Sequence, residues 1–171
     1  MKQIDTIYPE DKKEMYELLI AQVKTILDGE TDVIANLSNV SALLNEALQD
    51  INWVGFYLMK EGRLILGPFQ GKLACIHIPL GKGVCGTAAQ SKETQLVKNV
   101  HEFPGHIACD SATNSEIVVP MLYMEQVIGV LDIDSPKLLR FDEIDQRYLE
   151  KIVEILVSSC DWKNACKYDF N

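Results

Sequence analysis

The chain has 171 residues, 47% hydrophobic and 24% charged, which suits one folded domain with a sizeable core and excludes a disordered chain. Sixteen basic against 25 acidic side chains give a formal charge of −9 without any Lys/Arg-rich run, so neither nucleic acid nor an anionic membrane surface is an expected partner. The opening Met1-Lys2-Gln3-Ile4-Asp5 turns polar at once and no apolar run approaches the ~20 residues of a membrane span, so a cytoplasmic protein is expected.

Pro9 suits the first turn of a helix that reaches Gly29 and aligns Met15, Leu18, Leu19, Val23 and Ile26, with Glu10 and Asp11 at its positive end. A second helical stripe, Ile34, Leu37, Val40, Leu43, Leu44 and Leu48, begins after Thr31 or Asp32. From Trp53 the period becomes strand-like: residues 53–59, a turn at Glu61-Gly62 and residues 63–66 read as an antiparallel hairpin. Residues 73–78 read as another strand, with Cys75 and His77 on one face and Ala74, Ile76 and Ile78 on the other.

A glycine-rich turn, 81–86, leads into a short helix at 84–90 and a short strand at 95–97; a long loop, 99–114, follows, of the length that is often functional in compact domains. Strands at 117–123 and 127–134 turn near Glu125, and Phe141-Asp142-Glu143 opens a helix that buries Ile144, Leu149, Ile152, Val153, Leu156 and Val157. The expected architecture is α+β: one domain over 1–171, with an N-terminal helical part (1–50), an antiparallel sheet of about six strands with the functional loops (51–140) and a C-terminal helix (141–171). The apolar stripes of the first and last helices can pack on their own sheet or on a second copy, and a homodimer is the preferred expectation.

Five cysteines in such a compartment point to reduced, catalytic or metal-binding thiols, and the odd count argues against full pairing. Cys160 and Cys166, six apart, do not face each other on one helix and are read as incidental. A lone cysteine is most often a small core residue, but Cys75, Cys85 and Cys109 come with Glu116, Asp132 and Asp134. Together they suit redox chemistry, in which a thiolate attacks, a second thiol captures the intermediate and a carboxyl handles a proton. Cys85, at a helix start beside Lys82, is expected to ionise readily, and Cys109 follows His106 on a loop. Zinc is disfavoured: Cys75, His77, Cys85, His106 and Cys109 are competent ligands, but the cysteines lie ten and twenty-four residues apart, without a Cys-x-x-Cys knuckle.

Asp132 and Asp134 alternate with apolar residues and therefore share a strand face, either a solvated acidic face or, with Glu116 on a neighbouring strand, a crowded cluster that keeps a proton. Trp53 and Tyr57 also share a face, as core or as a pocket wall.

These residues resemble the free methionine-(R)-sulfoxide reductases, stand-alone GAF domains, from about Trp53 to Leu156. The resemblance lies in Asn52-Trp53-Val54-Gly55-Phe56-Tyr57, Leu73-Ala74-Cys75-Ile76, Gly81-Lys82-Gly83-Val84-Cys85-Gly86, the loop from Phe103 to Cys109, Ser115-Glu116-Ile117-Val118-Val119-Pro120 and Gly129-Val130-Leu131-Asp132-Ile133-Asp134-Ser135. It implies that Cys109 is the sulfur nucleophile, that Cys85 and Cys75 resolve the intermediate, and that Trp53 and Tyr57 surround the substrate methyl group. It implies further that Glu116, Asp132 and Asp134 bind the sulfoxide oxygen and the amino group. Free methionine sulfoxide is then the substrate and thioredoxin the electron donor, with no metal or other cofactor. The alternative from another class is a non-catalytic GAF module that senses a small molecule or redox state.

Overall fold

The computed structural model describes residues 7–105 and 111–165. The chain runs through α1 (Lys12–Leu27), α2 (Val33–Ala47), β1 (Trp53–Lys60), β2 (Arg63–Gly71), β3 (His77–Pro79), α3 (Gly83–Ser91), β4 (Gln95–Val97), a 3-10 turn (Val100–Glu102), β5 (Ser115–Tyr123), β6 (Gln126–Ser135), α4 (Glu143–Ser159) and α5 (Trp162–Ala165). The strands form one antiparallel sheet in the order β3-β2-β1-β6-β5-β4, which bears out the α+β reading.

Aspartates begin the three longest helices. Asp11 accepts from the backbone N–H groups of Lys13 and Glu14, Asp32 from that of Ala35, and Asp142 from those of Ile144 and Asp145. Each satisfies first-turn donors that no carbonyl of the helix can reach. Pro9 therefore precedes the first cap and is not part of the first turn.

Alternation along the central strands sorts side chains onto two faces. Val54 and Phe56 of β1, Ile117, Val119 and Met121 of β5, and Leu131 and Ile133 of β6 meet α1, α2 and α4 in one continuous core. The stripes of α1 and α4, including Leu19, Val23, Leu149 and Ile152, are buried within this chain. The residues between them, Trp53, Tyr57, Val118 and Val130, face the other way, where α3 covers them with Val84, Cys85, Ala88 and Ala89.

Two strand expectations are corrected. β2 continues past Leu66 to Gly71 because a register shift between Gly55 and Tyr57 accommodates an extra residue around Gly67-Pro68, where proline's missing donor is tolerated. β3 shrinks to three residues that pair only with Arg63, Leu64 and Ile65. Pro68 has no N–H to offer the segment before β3, and the bulge turns that edge away, so Leu73 and Ile76 stand 91% and 62% exposed instead of lining a strand. The expected opposition of Cys75 and His77 to Ala74 and Ile76 on one strand does not form.

A buried carboxylate ties α1, α4 and the segment before α4 together. Asp145, fully buried, accepts from Tyr16 Oη at 2.7 Å, Lys12 Nζ at 2.6 Å and Arg140 Nη1 at 3.3 Å, and its side chain also caps the backbone N–H of Asp142. With its charge paired and its oxygens satisfied, this anion is tolerated in the core.

Candidate active site

The pocket floor is built by register. β6 lies between β1 and β5, which sets Trp53 opposite Asp134, Gly55 opposite Asp132 and Glu116 opposite Asp134, all on the face away from the large helical core. The solvated-edge reading of the acidic strand is thereby excluded: β6 is central, Glu116 and Asp132 are each 6% exposed, and Asp134 is half-buried. One pocket is lined by Glu116, Asp132 and Asp134, by Cys85, Val84 and Lys82 from the start of α3, by Trp53 and Tyr57, and by Leu73, Ala74, Ile78 and Thr113.

Trp53 stacks on Tyr57 at 5.8 Å between ring centroids and on Phe69 at 5.3 Å, and its Nε1 donates to the Lys72 carbonyl. The indole is therefore a fixed wall, held by two rings and at its polar edge. Gly55 lies between the two aromatics on the same face. A Cβ there would meet Phe69 Cβ at 2.3 Å and the Trp53 ring at 2.7 Å, so the stack requires glycine at this position.

Cys85 Sγ donates to Glu116 Oε1 at 4.0 Å from a position 4% exposed. The expectation of a readily ionised Cys85 is corrected: burial, then the charges of Asp132 and Glu116, push this thiol well above its ordinary value. Desolvation and acidic neighbours outweigh the partial charge of a helix start and an exposed Lys82. Cys85 and Cys160 carry free thiols, and Cys75, half-buried, does not. Cys109 and His106 lie outside the described residues.

The carboxyls are unequal. Burial raises Asp132 from 3.8 to about 6, hydrogen bonds from Cys85 and Glu116 holding it from going further. Glu116 rises well above the carboxylate range through burial and the charges of Asp132 and Asp134. Asp132 therefore ionises first, and its charge helps Glu116 hold its proton, which is the division a proton donor beside a cation-binding carboxylate requires. Burial, then Asp132, likewise keeps Tyr57 a neutral phenol. Asp132 Oδ1 is buried without a hydrogen-bond partner. Among the described residues, Cys85, Glu116 and Asp132 form a group able to hold a metal ion, with ligand atoms within 4.8 Å of one another.

Of the eight site residues read from the sequence, the structure gathers Trp53, Tyr57, Cys85, Glu116, Asp132 and Asp134 in one pocket and leaves Cys75, half-buried, next in the chain to the lining residues Leu73 and Ala74. Phe69 and Thr113 were missed. Phe69 lies beyond the expected strand end at Leu66, and Thr113, 4% exposed, lies just before β5 on a loop without periodicity. No helix among the described residues is long and apolar enough to cross a membrane.

The GAF domain family model matches residues 37–158. Free methionine-R-sulfoxide reductase of Escherichia coli is 49% identical over 156 residues, 90% of this chain and 94% of that protein. The structure of fRMsr of Staphylococcus aureus in its reduced form aligns with a TM-score of 0.84 at 52% identity, covering 93% of this chain and 99% of that one. The free methionine-R-sulfoxide reductase of Neisseria meningitidis in complex with its substrate aligns with a TM-score of 0.87 at 44% identity, covering 90% and 93%.

Proposed function

The chain belongs to the GAF domain family, among the free methionine-R-sulfoxide reductases, and from that membership and the buried acidic pocket we propose that it reduces free L-methionine-(R)-sulfoxide to L-methionine. The observation that carries the proposal is the convergence of Glu116, Asp132 and Asp134 under a fixed Trp53–Tyr57 wall. A free amino acid sulfoxide offers a methyl group for the aromatic wall, an ammonium for Asp132 and Asp134, and an oxygen that must leave with protons, for which Glu116 holds one.

In the proposed sequence the Cys109 thiolate attacks the sulfoxide sulfur, Glu116 protonates the oxygen, and the oxygen passes to Cys109. Methionine departs, leaving Cys109 as a sulfenic acid. Cys75 then displaces water from that sulfur to give a Cys109–Cys75 disulfide, and a thioredoxin-type dithiol returns both thiols while becoming a disulfide itself. Two features favour Cys75 over Cys85 as the resolving thiol. Cys85 is sealed in an acidic environment that opposes its thiolate, whereas Cys75 is half-buried in the segment of the exposed Leu73 and Ile76, apolar side chains suited to a docking oxidoreductase.

The test is consumption of reduced thioredoxin on adding free methionine sulfoxide, with methionine measured as product. Stoichiometric turnover supports the reductase; binding or a single oxidation without turnover favours a sensor module.

A further inference from the structure

We propose that the reduced pocket holds a site for one borderline-soft divalent cation of the zinc class, ligated by Cys85 Sγ and by carboxylate oxygens of Glu116 and Asp132. Three strands of observation carry it. The donor set mixes one sulfur with two oxygens, which suits zinc and cadmium better than magnesium or calcium. The three ligand atoms already lie within 4.8 Å of one another, and Cys85 Sγ and Glu116 Oε1 are 4.0 Å apart. A tetrahedral ion at ordinary zinc bond lengths needs edges of about 3.4–3.6 Å, so side-chain rotation on the order of an ångström closes the site. Asp132, 6% exposed and part of the pocket lining, also has an Oδ1 that is buried with no hydrogen-bond partner. Such an orphan is costly until something positive or a donor reaches it.

Binding replaces the Cys85 thiol proton, and any carboxyl proton on Glu116, with metal bonds, so protons are released to solvent and no electrons move. The pocket side stays open, leaving the fourth position to water. The distribution of charge explains why the cluster tolerates an ion: a dication among one thiolate and two carboxylates relieves the like-charge crowding that otherwise needs protons. The site itself rests on geometry; its consequence, inhibition through loss of the ammonium-binding carboxylates, rests on the reductase reading above.

The experiment is titration of fully reduced, metal-free protein with Cd²⁺ alone, following the ultraviolet sulfur-to-cadmium band, and with Zn²⁺ alone by calorimetry. One ion per chain is expected. Cys85→Ser should lose the band while Cys109→Ser keeps it, and Asp132→Asn should weaken Zn²⁺ by about tenfold or more. Should Cys85→Ser fail to fold, Asp132→Asn and Glu116→Gln carry the same test by calorimetry. Absence of stoichiometric binding, or a band that survives Cys85→Ser and vanishes in Cys109→Ser, overturns the site. Neither readout uses turnover, so failure here leaves the reductase assignment standing, and an inactive protein that binds Cd²⁺ through Cys85 leaves the metal site standing.

Discussion

Cys85 Sγ stands 4.0 Å from Glu116 Oε1, a thiol on α3 and a carboxyl on β5 both closed off from solvent. Burial and the neighbouring carboxyls, Glu116 among them, hold the proton on Cys85, and burial with Asp132 and Asp134 holds the one on Glu116, so the pair stores protons instead of supplying a thiolate. Cys85 in the native protein should therefore react with iodoacetamide at neutral pH at least ~10²-fold more slowly than in the unfolded chain, on the usual dependence of reactivity on thiolate and access. Mass spectrometry of timed alkylation checks this. For turnover, Cys75→Ser should release methionine once and then stop cycling with thioredoxin. Cys85→Ser should keep cycling, whatever its effect on binding.

Replacing Asp132 should trade activity for stability. Folded Asp132 holds its proton to about pH 6, whereas the unfolded chain releases it near 3.8, so the folded protein binds more protons in that window. Its contribution to stability is present below about pH 4 and is lost as the pH rises to 6, a swing on the order of 3 kcal/mol. At pH 7, Asp132→Asn should therefore be more stable than the parent by about 1–3 kcal/mol, while kcat/KM falls by ~10²-fold. Denaturant midpoints at pH 4.5 and 7 for both proteins check the sign, since the variant should show the smaller fall between them.

Gly55→Ala tests the fixed wall. Its methyl group meets Phe69 Cβ and the Trp53 ring, neither of which can yield without breaking the stack. A loss of about 1–3 kcal/mol in stability is expected from overpacking, with KM for methionine sulfoxide raised because the wall moves. Near-ultraviolet circular dichroism reports the indole environment directly.

Asp145→Ala separates folding from chemistry. It leaves Lys12, Arg140 and the Tyr16 hydroxyl without their shared acceptor, at a cost of about 3–5 kcal/mol. Turnover per folded molecule should stay within about twofold of the parent, because the cluster lies on the opposite side of the sheet from the pocket. Chemical unfolding together with activity at low temperature makes the comparison.

Much of this molecule was legible in its sequence because periodicity is a local signal. The alternation of Asp132 and Asp134 with Leu131 and Ile133 fixed one face for both acids, and Trp53 with Tyr57 did the same for β1. What alternation could not supply was the neighbour of each strand, and so whether that acidic face met water or Cys85. The strand read from the sequence stopped at Leu66, just before Gly67-Pro68, and only the bulge explains that pair's place inside β2. Asp145 looks like an ordinary first-turn acid of a helix, since its partners Tyr16 and Lys12 lie more than a hundred residues away. The direction of the Cys85 shift was misread for the same reason: the helix start was visible in sequence, but the burial and the carboxyls that overrule it were not.

The central claim is that Trp53, Tyr57 and the three carboxyls form a pocket for the free R sulfoxide. The most direct measurement is competition, in one thioredoxin-coupled assay, among free L-methionine-(R)-sulfoxide, its S epimer and an oxidised methionine peptide. The S epimer exchanges methyl and oxygen, setting the oxygen against the aromatic wall and away from the Glu116 proton, and the peptide lacks the ammonium proposed to meet Asp132 and Asp134. Each mismatch is worth a few kcal/mol, so kcat/KM for the free R epimer should exceed both others by ~10²-fold or more. Comparable values for all three substrates would contradict the account, even if reductase activity were present.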